Sequence, residues 1–500
     1  MSLKIVWKLK IGNLIFGMWP SGKASRSERE NRRFESYHPS PVVRERRGQP
    51  PLRKKSRVGP SVRKFRIFYF SPSMIRTRIN LLRQDNFLKN NLVFFLGSMG
   101  VAFLNYLYHP ILGRMMKVED FGEVQSLLSL SAQAGIILGI FGTISVNIVT
   151  NSEGDKQKLT ILARLYRVAF WLNVAISLIM IVFSVQLKHF FNFDSFLPFV
   201  ILAVSLLISN PFTFLRSYLQ GKKEFKAVSW SGIIISAGRL FFAVLLIYLG
   251  FAVLGAFAAI VISNLLALGF VYLKTKKRFR LKKSAEKEEP GAVWRELKYG
   301  ILIFFATGFV TFLYTTDVLV VKHYFSPEEA GFYSGISTIA RIIFFVTGSV
   351  AGVMLPSIKL KNSFQENSQI LKKALLLVLL IGGGVFLTFV LFSATITNLL
   401  IGSRYVVDAH LLPRLGLLSF LVSIINLMFI YFLALRKYFL IPVTLLGLSV
   451  VSLSFLFFHA SLIQVINSFL LGSFLTLFLI IAYYAKHHLK NNENTARSYN

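Results

Sequence analysis

At 500 residues, 54% of them hydrophobic and only 16% charged, the chain is too apolar to be a soluble domain of its length. It has no cysteine, which excludes disulfides, thiolate metal sites and cysteine nucleophiles. A formal charge of +35 would suit a nucleic-acid partner, but the lysines and arginines gather at both ends and in alternate connectors between apolar runs, which argues for a membrane and against nucleic acid.

Residues 1–73 carry eighteen Lys or Arg against four Glu, with scattered Pro and Ser and no spanning segment. They read as a basic, disordered extension or as residues upstream of the natural start, because Met74 opens an ordinary entry (MIRTRINLLRQDNFLKNN) to the first span. An organellar transit sequence is the competing reading.

From about Asn90 to Lys486 the chain holds about a dozen apolar runs of roughly 18–25 residues, each matching the ~20 helical residues that cross a ~30 Å hydrocarbon core. Lipid offers backbone groups no partners, so runs of this kind are helices. The predicted spans are 90–112, 121–149, 163–187, 195–217, 228–249, 252–273, 298–322, 329–356, 372–400, 410–434, 438–458 and 462–485. The expected fold class is an all-α integral membrane protein of about 12 transmembrane helices in two pseudosymmetric six-helix lobes, 74–273 and 298–486. A basic linker (274–297) joins them, and a tail (487–500) follows.

From Met74 onward, connectors assigned to the cytoplasm hold 31 Lys or Arg and those on the other side hold six: Arg114, Lys117, Lys188, Lys322, Arg404 and Arg414. That split predicts both termini in the cytoplasm. The linker, opening with KTKKRFRLKK, is expected against anionic headgroups. Pro110, Pro211, Pro356 and Pro442 interrupt or end spans, either as bending points or as ordinary static kinks.

A shift of 209 residues lays HPILGRMMKVEDFGEVQSLLSL, from His109, onto VLVVKHYFSPEEAGFYSGISTI, from Val318, so that Glu119, Asp120 and Gly122 meet Glu328, Glu329 and Gly331. The shift covers six spans, an even number, so the repeat is parallel. QGKKEF (220–225) echoes ALRKYF (434–439) at a shift of 214. Polar positions keep the register. Ser98, Asn105 and His109 share one face of the first span, and Thr307, Thr311 and Tyr314 form the stripe of the seventh. Gln125, Ser129, Gly139 and Thr143 of the second span match Ser334, Thr338, Gly348 and Gly352 of the eighth, with Ala132 falling on Arg341.

Any one such stripe is common in ordinary helix contacts; four in register point to a lined cavity between lobes. Within it lie residues that cost about 2.5–3.5 kcal/mol each to insert when charged at the bilayer centre, and which therefore call for a partner or a watery cavity. These are Arg239, Asp317 and Arg341. The arginines read as substrate-anion ligands or as internal ion-pair members, and Asp317 as a structural salt bridge or an ion-coupling group. His109 reads as a packing histidine rather than a proton relay.

The segments LGRMMKVEDFGEVQSLLSL (112–130), TTDVLVVKHYFSPEEAGFYSGISTIARII (315–343) and LQGKKEF (219–225) resemble the Wzx-type oligosaccharide flippases, the polysaccharide transport branch of the MATE-like MOP superfamily, over about 74–486. Lys322 departs from the small residue or Gly that relatives often carry shortly after the aspartate. The resemblance implies two lobes around an alternately opening cavity, a glycan on undecaprenyl pyrophosphate as cargo, and the plasma (cell inner) membrane as location. It implies no cofactor, and membrane lipids, a polysaccharide polymerase and chain-length proteins as further partners. On this reading Arg239 and Arg341 bind phosphate oxygens in paired hydrogen bonds, while Ser98, Asn105, Gln125, Ser129, Thr307, Thr311, Tyr314, Ser334 and Thr338 meet sugar hydroxyls. The competing readings are a MATE-like cation-coupled multidrug or metabolite antiporter, a lipid II flippase, a membrane polymerase or ligase, and a structural scaffold. An antiporter would need deep acidic residues where this chain has mainly arginine. A lipid II flippase usually comes with fourteen helices, and no paired carboxylates, metal cluster or Ser/His/Asp set points to an enzyme.

Overall fold

The structure is a computed structural model that describes residues 86–150, 156–276 and 292–497, which belong to one compact unit. The reading of 1–73 and the middle of the 274–297 linker lie outside the described residues. Every regular element among the described residues is helical.

The first lobe holds α1 (Asn86–Met115), α2 (Val118–Thr150), α3 (Lys156–Val182) with the short α4 (Ser184–Phe190), α5 (Leu197–Gly221), α6 (Phe225–Tyr248) and α7 (Ala252–Thr275). The second holds α8 (Ala292–Tyr324), α9 (Pro327–Ala340) running on into α10 (Ile342–Met354), α11 (Phe364–Leu391), α12 (Ser393–Leu400), a 3-10 segment (Ser403–Leu411), α13 (Leu412–Ala434), α14 (Leu440–Phe457) and α15 (Leu462–Arg497). Eleven spans among the described residues are long and apolar enough to cross a membrane. The twelfth is α1, 30 residues long but carrying Asn105, Tyr106 and His109 along its middle. The expected linker is helical at both edges, since α7 runs to Thr275 and α8 begins at Ala292, and the expected tail continues α15 to Arg497.

Local sequence explains the boundaries. Ser326-Pro327-Glu328-Glu329 starts α9 with a reciprocal capping box between Ser326 and Glu329, and Ser363 with Glu366 does the same for α11. Two predicted spans, the third and the ninth, are interrupted, at Phe183 and at Phe392. Each Phe is followed by Ser, and the two breaks stand 209 residues apart, the same shift that superposes the repeat. The break belongs to the duplicated unit.

The repeat also explains its own most regular feature. Glu119 and Asp120 occupy the first turn of α2, Glu328 and Glu329 that of α9, where carboxylates favour the positive end of the helix dipole. The glycines that follow meet each other: a Cβ on Gly122 would stand 2.9 Å from Gly331 Cα, and one on Gly331 would stand 2.2 Å from Val118 O. The repeated glycine lets the two first turns cross backbone to backbone at the pseudo-twofold axis.

Two helix pairs join the lobes extensively, α2 against α9 at that crossing and α2 against α8 along its length, and α3 touches α8 more briefly. The α2–α8 seam runs antiparallel. Glu123 faces Lys322 at one end, Gln133 faces Thr315 and Thr316 in the middle, and Ile140 and Ile144 lie against Gly300 at the other. Between α1 and α10 there is no extended packing among the described residues.

Candidate functional site

The α2–α9 crossing lies at the end of the bundle opposite Lys222 and Lys223, which follow α5. Several further contacts tie the lobes there. Arg404, in the 3-10 segment, donates to Met116 O (3.0 Å) and Arg114 O (2.9 Å) at the close of α1, and Arg114 donates back to Leu399 O. His323 stacks on Phe190 at 3.9 Å and donates to its carbonyl at 2.6 Å. Lys322, wholly buried, stands 3.9 Å from Glu123 and over the Phe193 ring at 5.1 Å, and its ammonium makes no hydrogen bond to protein. Glu123 in turn accepts from Asp194 N at 3.1 Å. This end is sealed.

Below the seal, the predicted polar stripes change character. Gln125, Ser129, Ser334 and Thr338 are buried between lobes. Ser98, Gly139, Thr143, Thr307, Ser349 and Gly352, nearer the basic end, are uncovered by protein. A Cβ added to Gly100, Gly135, Gly139, Gly348 or Gly352 would meet nothing within 4 Å. The stripes therefore line a cleft that opens toward the basic end and, between α1 and α10, toward the side.

At the head of the cleft the structure brings many of the predicted residues together. Gln125 Nε2 donates to His109 Nδ1 at 3.0 Å, and its Oε1 lies 3.3 Å from the Thr338 hydroxyl, so one amide links α1, α2 and α9. Arg239 Nη2 donates to Asn105 Oδ1 at 2.9 Å, with its guanidinium 4.4 Å from the centre of the Tyr108 ring. Arg239 Nε is buried with no protein partner, and no carboxylate among the described residues forms a salt bridge with this side chain. Arg341 Nε is likewise buried without a partner, but this guanidinium has a counter-charge: its Nη2 lies 3.0 Å from Asp317 Oδ1, while Asp317 Oδ2 accepts from Ser337 (2.8 Å) and Tyr333 (3.2 Å).

The remaining predicted residues are more scattered. Tyr314 stacks on Phe344 at 4.8 Å. Ser129 and Ser334 are buried with hydroxyls that have no protein partner. Thr307 bonds back to Ile303 O at 2.7 Å and stays on the uncovered face, as does Ser98, while Thr311 gives its carbonyl to Thr315. Sequence reasoning missed Tyr108, Glu123, Gln133, Tyr333 and Ser337. Gln133 is central, since its Nε2 lies 2.8 Å from Thr316 Oγ1 and 3.1 Å from Thr315 Oγ1 across the seam.

Two repeated lobes, sealed together at one end and parted along polar faces toward the other, define a multi-pass membrane protein built on a duplicated helical unit. The family model described as "Polysaccharide biosynthesis protein" matches residues 87–360, and the chain belongs to that family. No individually curated protein sequence is significantly similar to it. Among solved structures, it is similar to the lipid II flippase MurJ in an inward closed conformation, with 13% identity, TM-score 0.61, and coverage of 79% of this chain and 87% of that one. It is likewise similar to the eukaryotic MATE transporter AtDTX14 (14% identity, TM-score 0.55, 80% and 96% covered). A MOP superfamily transporter from Pyrococcus furiosus, described as having a binding pocket of reversed polarity, gives 14% identity, TM-score 0.51 and coverage of 79% and 94%. At these identities the shared property is the fold.

Proposed function

We propose that the chain is a flippase for lipid-linked oligosaccharide, carrying glycan on undecaprenyl pyrophosphate from the cytoplasmic to the outer leaflet of the plasma membrane for surface polysaccharide biosynthesis. The family and the likeness to a lipid II flippase support a lipid-linked cargo. The observation that carries the reading is Arg239. It is a cation without an acidic partner among the described residues, aimed from the first lobe at the head of a cleft lined by hydroxyls and amides. A guanidinium without an acidic partner can give charge-assisted hydrogen bonds to phosphate oxygens, and such bonds gain strength away from bulk water.

On this reading the sugars lie along the stripes of α1, α2, α8 and α10, and the polyprenyl tail stays in the bilayer beside the gap between α1 and α10. The basic end faces the cytoplasm, consistent with 31 Lys or Arg on that side against six on the other. Both termini are then cytoplasmic, and the polysaccharide polymerase and chain-length proteins meet the protein from the other face. A cation antiporter would need an acidic group free to exchange its ion. Asp317, the acidic residue at the cleft head, has both oxygens engaged by three donors.

Loss of the protein is expected to leave full-length lipid-linked glycan on the cytoplasmic leaflet, whereas loss of a polymerase or ligase would leave finished units already translocated. Arg239→Ala should cut transport at least tenfold at unchanged protein level, with Arg239→Lys keeping more activity than Ala. Unfinished glycan in the deletion strain, or full transport by Arg239→Ala, would overturn the reading.

A further inference from the structure

A second cationic site stands well away from the cleft head. Between α2 and α5, at the basic end of the first lobe, lies a cavity of about 280 Å³ lined by Thr143 and Asn147 of α2 and by Thr213, Arg216, Ser217 and Gln220 of α5. That is many times the ~10–15 Å³ needed for one water. The four α5 residues fall at spacings of three, one and three, so they present a single face. No acidic residue lines the cavity, and Arg216 forms no salt bridge with any described residue. An unpaired guanidinium in a hydroxyl- and amide-lined hollow is the chemistry of an oxyanion site.

The back wall accounts for how the hollow is kept open. Gly142 of α2 faces α5 so closely that a Cβ there would stand 3.0 Å from Thr213 Cγ2 and 3.4 Å from Ser217 Oγ. Beside it, Gly139 has nothing within 4 Å of its missing Cβ. One glycine lets the helices meet, and the other leaves space next to the meeting point. Thr143 and Thr213 turn their protons to carbonyls of their own helices (Gly139 O at 3.0 Å, Ser209 O at 2.8 Å), so toward the cavity they offer lone pairs. Arg216, Ser217 and Gln220 supply the donors. A phosphate needs donors and a sugar needs both kinds, so the lining fits a phosphate linked to a sugar.

We propose that this cavity is an entry subsite for the phosphate end of a lipid-linked glycan, used before the anion reaches Arg239; the proposal rests on the flippase reading above. Gly139 and Thr143 continue the α2 stripe that begins at Gln125, so the subsite and the cleft head lie on one path. At 1.5 Å rise per residue, Gln125 and Thr143 stand about 27 Å apart along α2. That separation exceeds the reach of one diphosphate, so the two sites are occupied in turn. The shared chemistry is a phosphate oxyanion, whether on a polyprenyl carrier, a bulk phospholipid or free in solution.

The chain has no cysteine, so a single reporter thiol can be placed at the cavity wall. In the full-length protein in detergent, Thr213→Cys is alkylated with a maleimide in the presence of farnesyl diphosphate, inorganic pyrophosphate or phosphatidylglycerol. Farnesyl diphosphate should slow alkylation at least tenfold. Phosphatidylglycerol should not, and pyrophosphate should act only at much higher concentration. Adding Arg216→Ala should abolish protection, Arg216→Lys should retain part of it, and Arg239→Ala should leave it intact. Equal protection by phosphatidylglycerol, or protection that survives Arg216→Ala in monodisperse protein, would sink the entry subsite. If Arg239→Ala stops transport while Arg216→Ala transports normally, this proposal alone falls. If no form of the protein is protected by or binds farnesyl diphosphate, it falls together with the flippase reading.

Discussion

Arg341 in the second lobe and Arg239 in the first are both guanidiniums set within the membrane-spanning bundle, yet their surroundings differ in kind. Arg341 is locked to a carboxylate whose other oxygen is held by Ser337 and Tyr333, all buried. Arg239 rests on an amide oxygen and an aromatic face. The first arrangement neutralises a charge inside the protein. The second leaves a positive charge whose compensation must come from elsewhere, and in a membrane protein an uncompensated interior cation is costly enough to imply a task. The contrast separates a strut from a ligand-binding group among two residues that the sequence alone presents as equals.

The largest expected effect breaks the strut. Asp317→Ala leaves Arg341 buried without its counter-charge, a change worth about 3–5 kcal/mol in such pairs. Thermal unfolding in detergent should therefore shift strongly downward or the protein should fail to accumulate. The double variant Asp317→Leu with Arg341→Met should recover most of that loss, because it removes both charges and fills the space. Arg239→Ala, by contrast, gives up a ring contact worth roughly 0.5–2 kcal/mol and one hydrogen bond to an amide oxygen, and should unfold much closer to the parent. Equal melting shifts for Asp317→Ala and Arg239→Ala would erase the distinction.

Next comes the crossing of the first turns. Gly331→Val places atoms where Val118 O already stands, and overpacking of this kind costs about 1–3 kcal/mol. Because the strain exists only while the ends are sealed, it should shift the population toward an opened seal by roughly ten- to a hundredfold, at 1.4 kcal/mol per tenfold. A thiol at buried Ser334 (Ser334→Cys) reports this as faster alkylation by a membrane-impermeant maleimide from the outer side. Unchanged labelling would mean that the glycine contact does not hold the seal.

The fold was readable because its signals are long and redundant. Spans of lipid-crossing length and a repeat of fixed shift leave few alternatives, and each expected span falls on one helix, or on two consecutive ones, among the described residues. Finer features were hidden for identifiable reasons. The breaks after Val182 and Leu391 lie inside runs that hydropathy alone reads as continuous; only the repeated Phe-Ser pair marked them. Arg341 and Asp317 were legible as costly residues, but their mutual pairing depends on how α8 and α9 cross, which no periodicity encodes. Gln133 follows Gln125 and Ser129 at steps of four. Each such step turns about 40° around a helix of 3.6 residues per turn, so Gln133 leaves the cleft face and points at α8. A stripe followed by composition passes over it; one followed by angle finds it. Lys322 read as an outer-connector charge because it sits near a helix end, and only the packing shows it enclosed.

That enclosed lysine gives a pair of smaller effects with opposite signs. Glu123→Gln removes the nearest counter-charge from an ammonium that has no hydrogen-bond partner in the protein, so the sealed end should loosen and the Ser334→Cys reporter should label several-fold faster. Lys322→Met replaces the same buried charge with an apolar chain of similar length, a kind of exchange that is often neutral or stabilising, so labelling should stay level or slow. If both variants loosen the seal equally, the ion pair itself holds the end closed, and burial of the lysine costs less than its surroundings suggest.

The mildest test lies at the middle of the seam. Gln133→Leu deletes the two donors to Thr315 and Thr316, and hydrogen bonds between membrane helices average about 0.6 kcal/mol, so unfolding should shift only slightly and the seal should stay closed. Its value is in the comparison with Gln125→Leu, which cuts the link from His109 to Thr338 at the cleft head. There a loss of transport is expected without a larger loss of stability, because Gln125 joins three helices around the proposed cargo while Gln133 joins two helices that touch along their whole length. A transport defect in Gln133→Leu as severe as that in Gln125→Leu would move the working surface from the cleft to the α2–α8 seam.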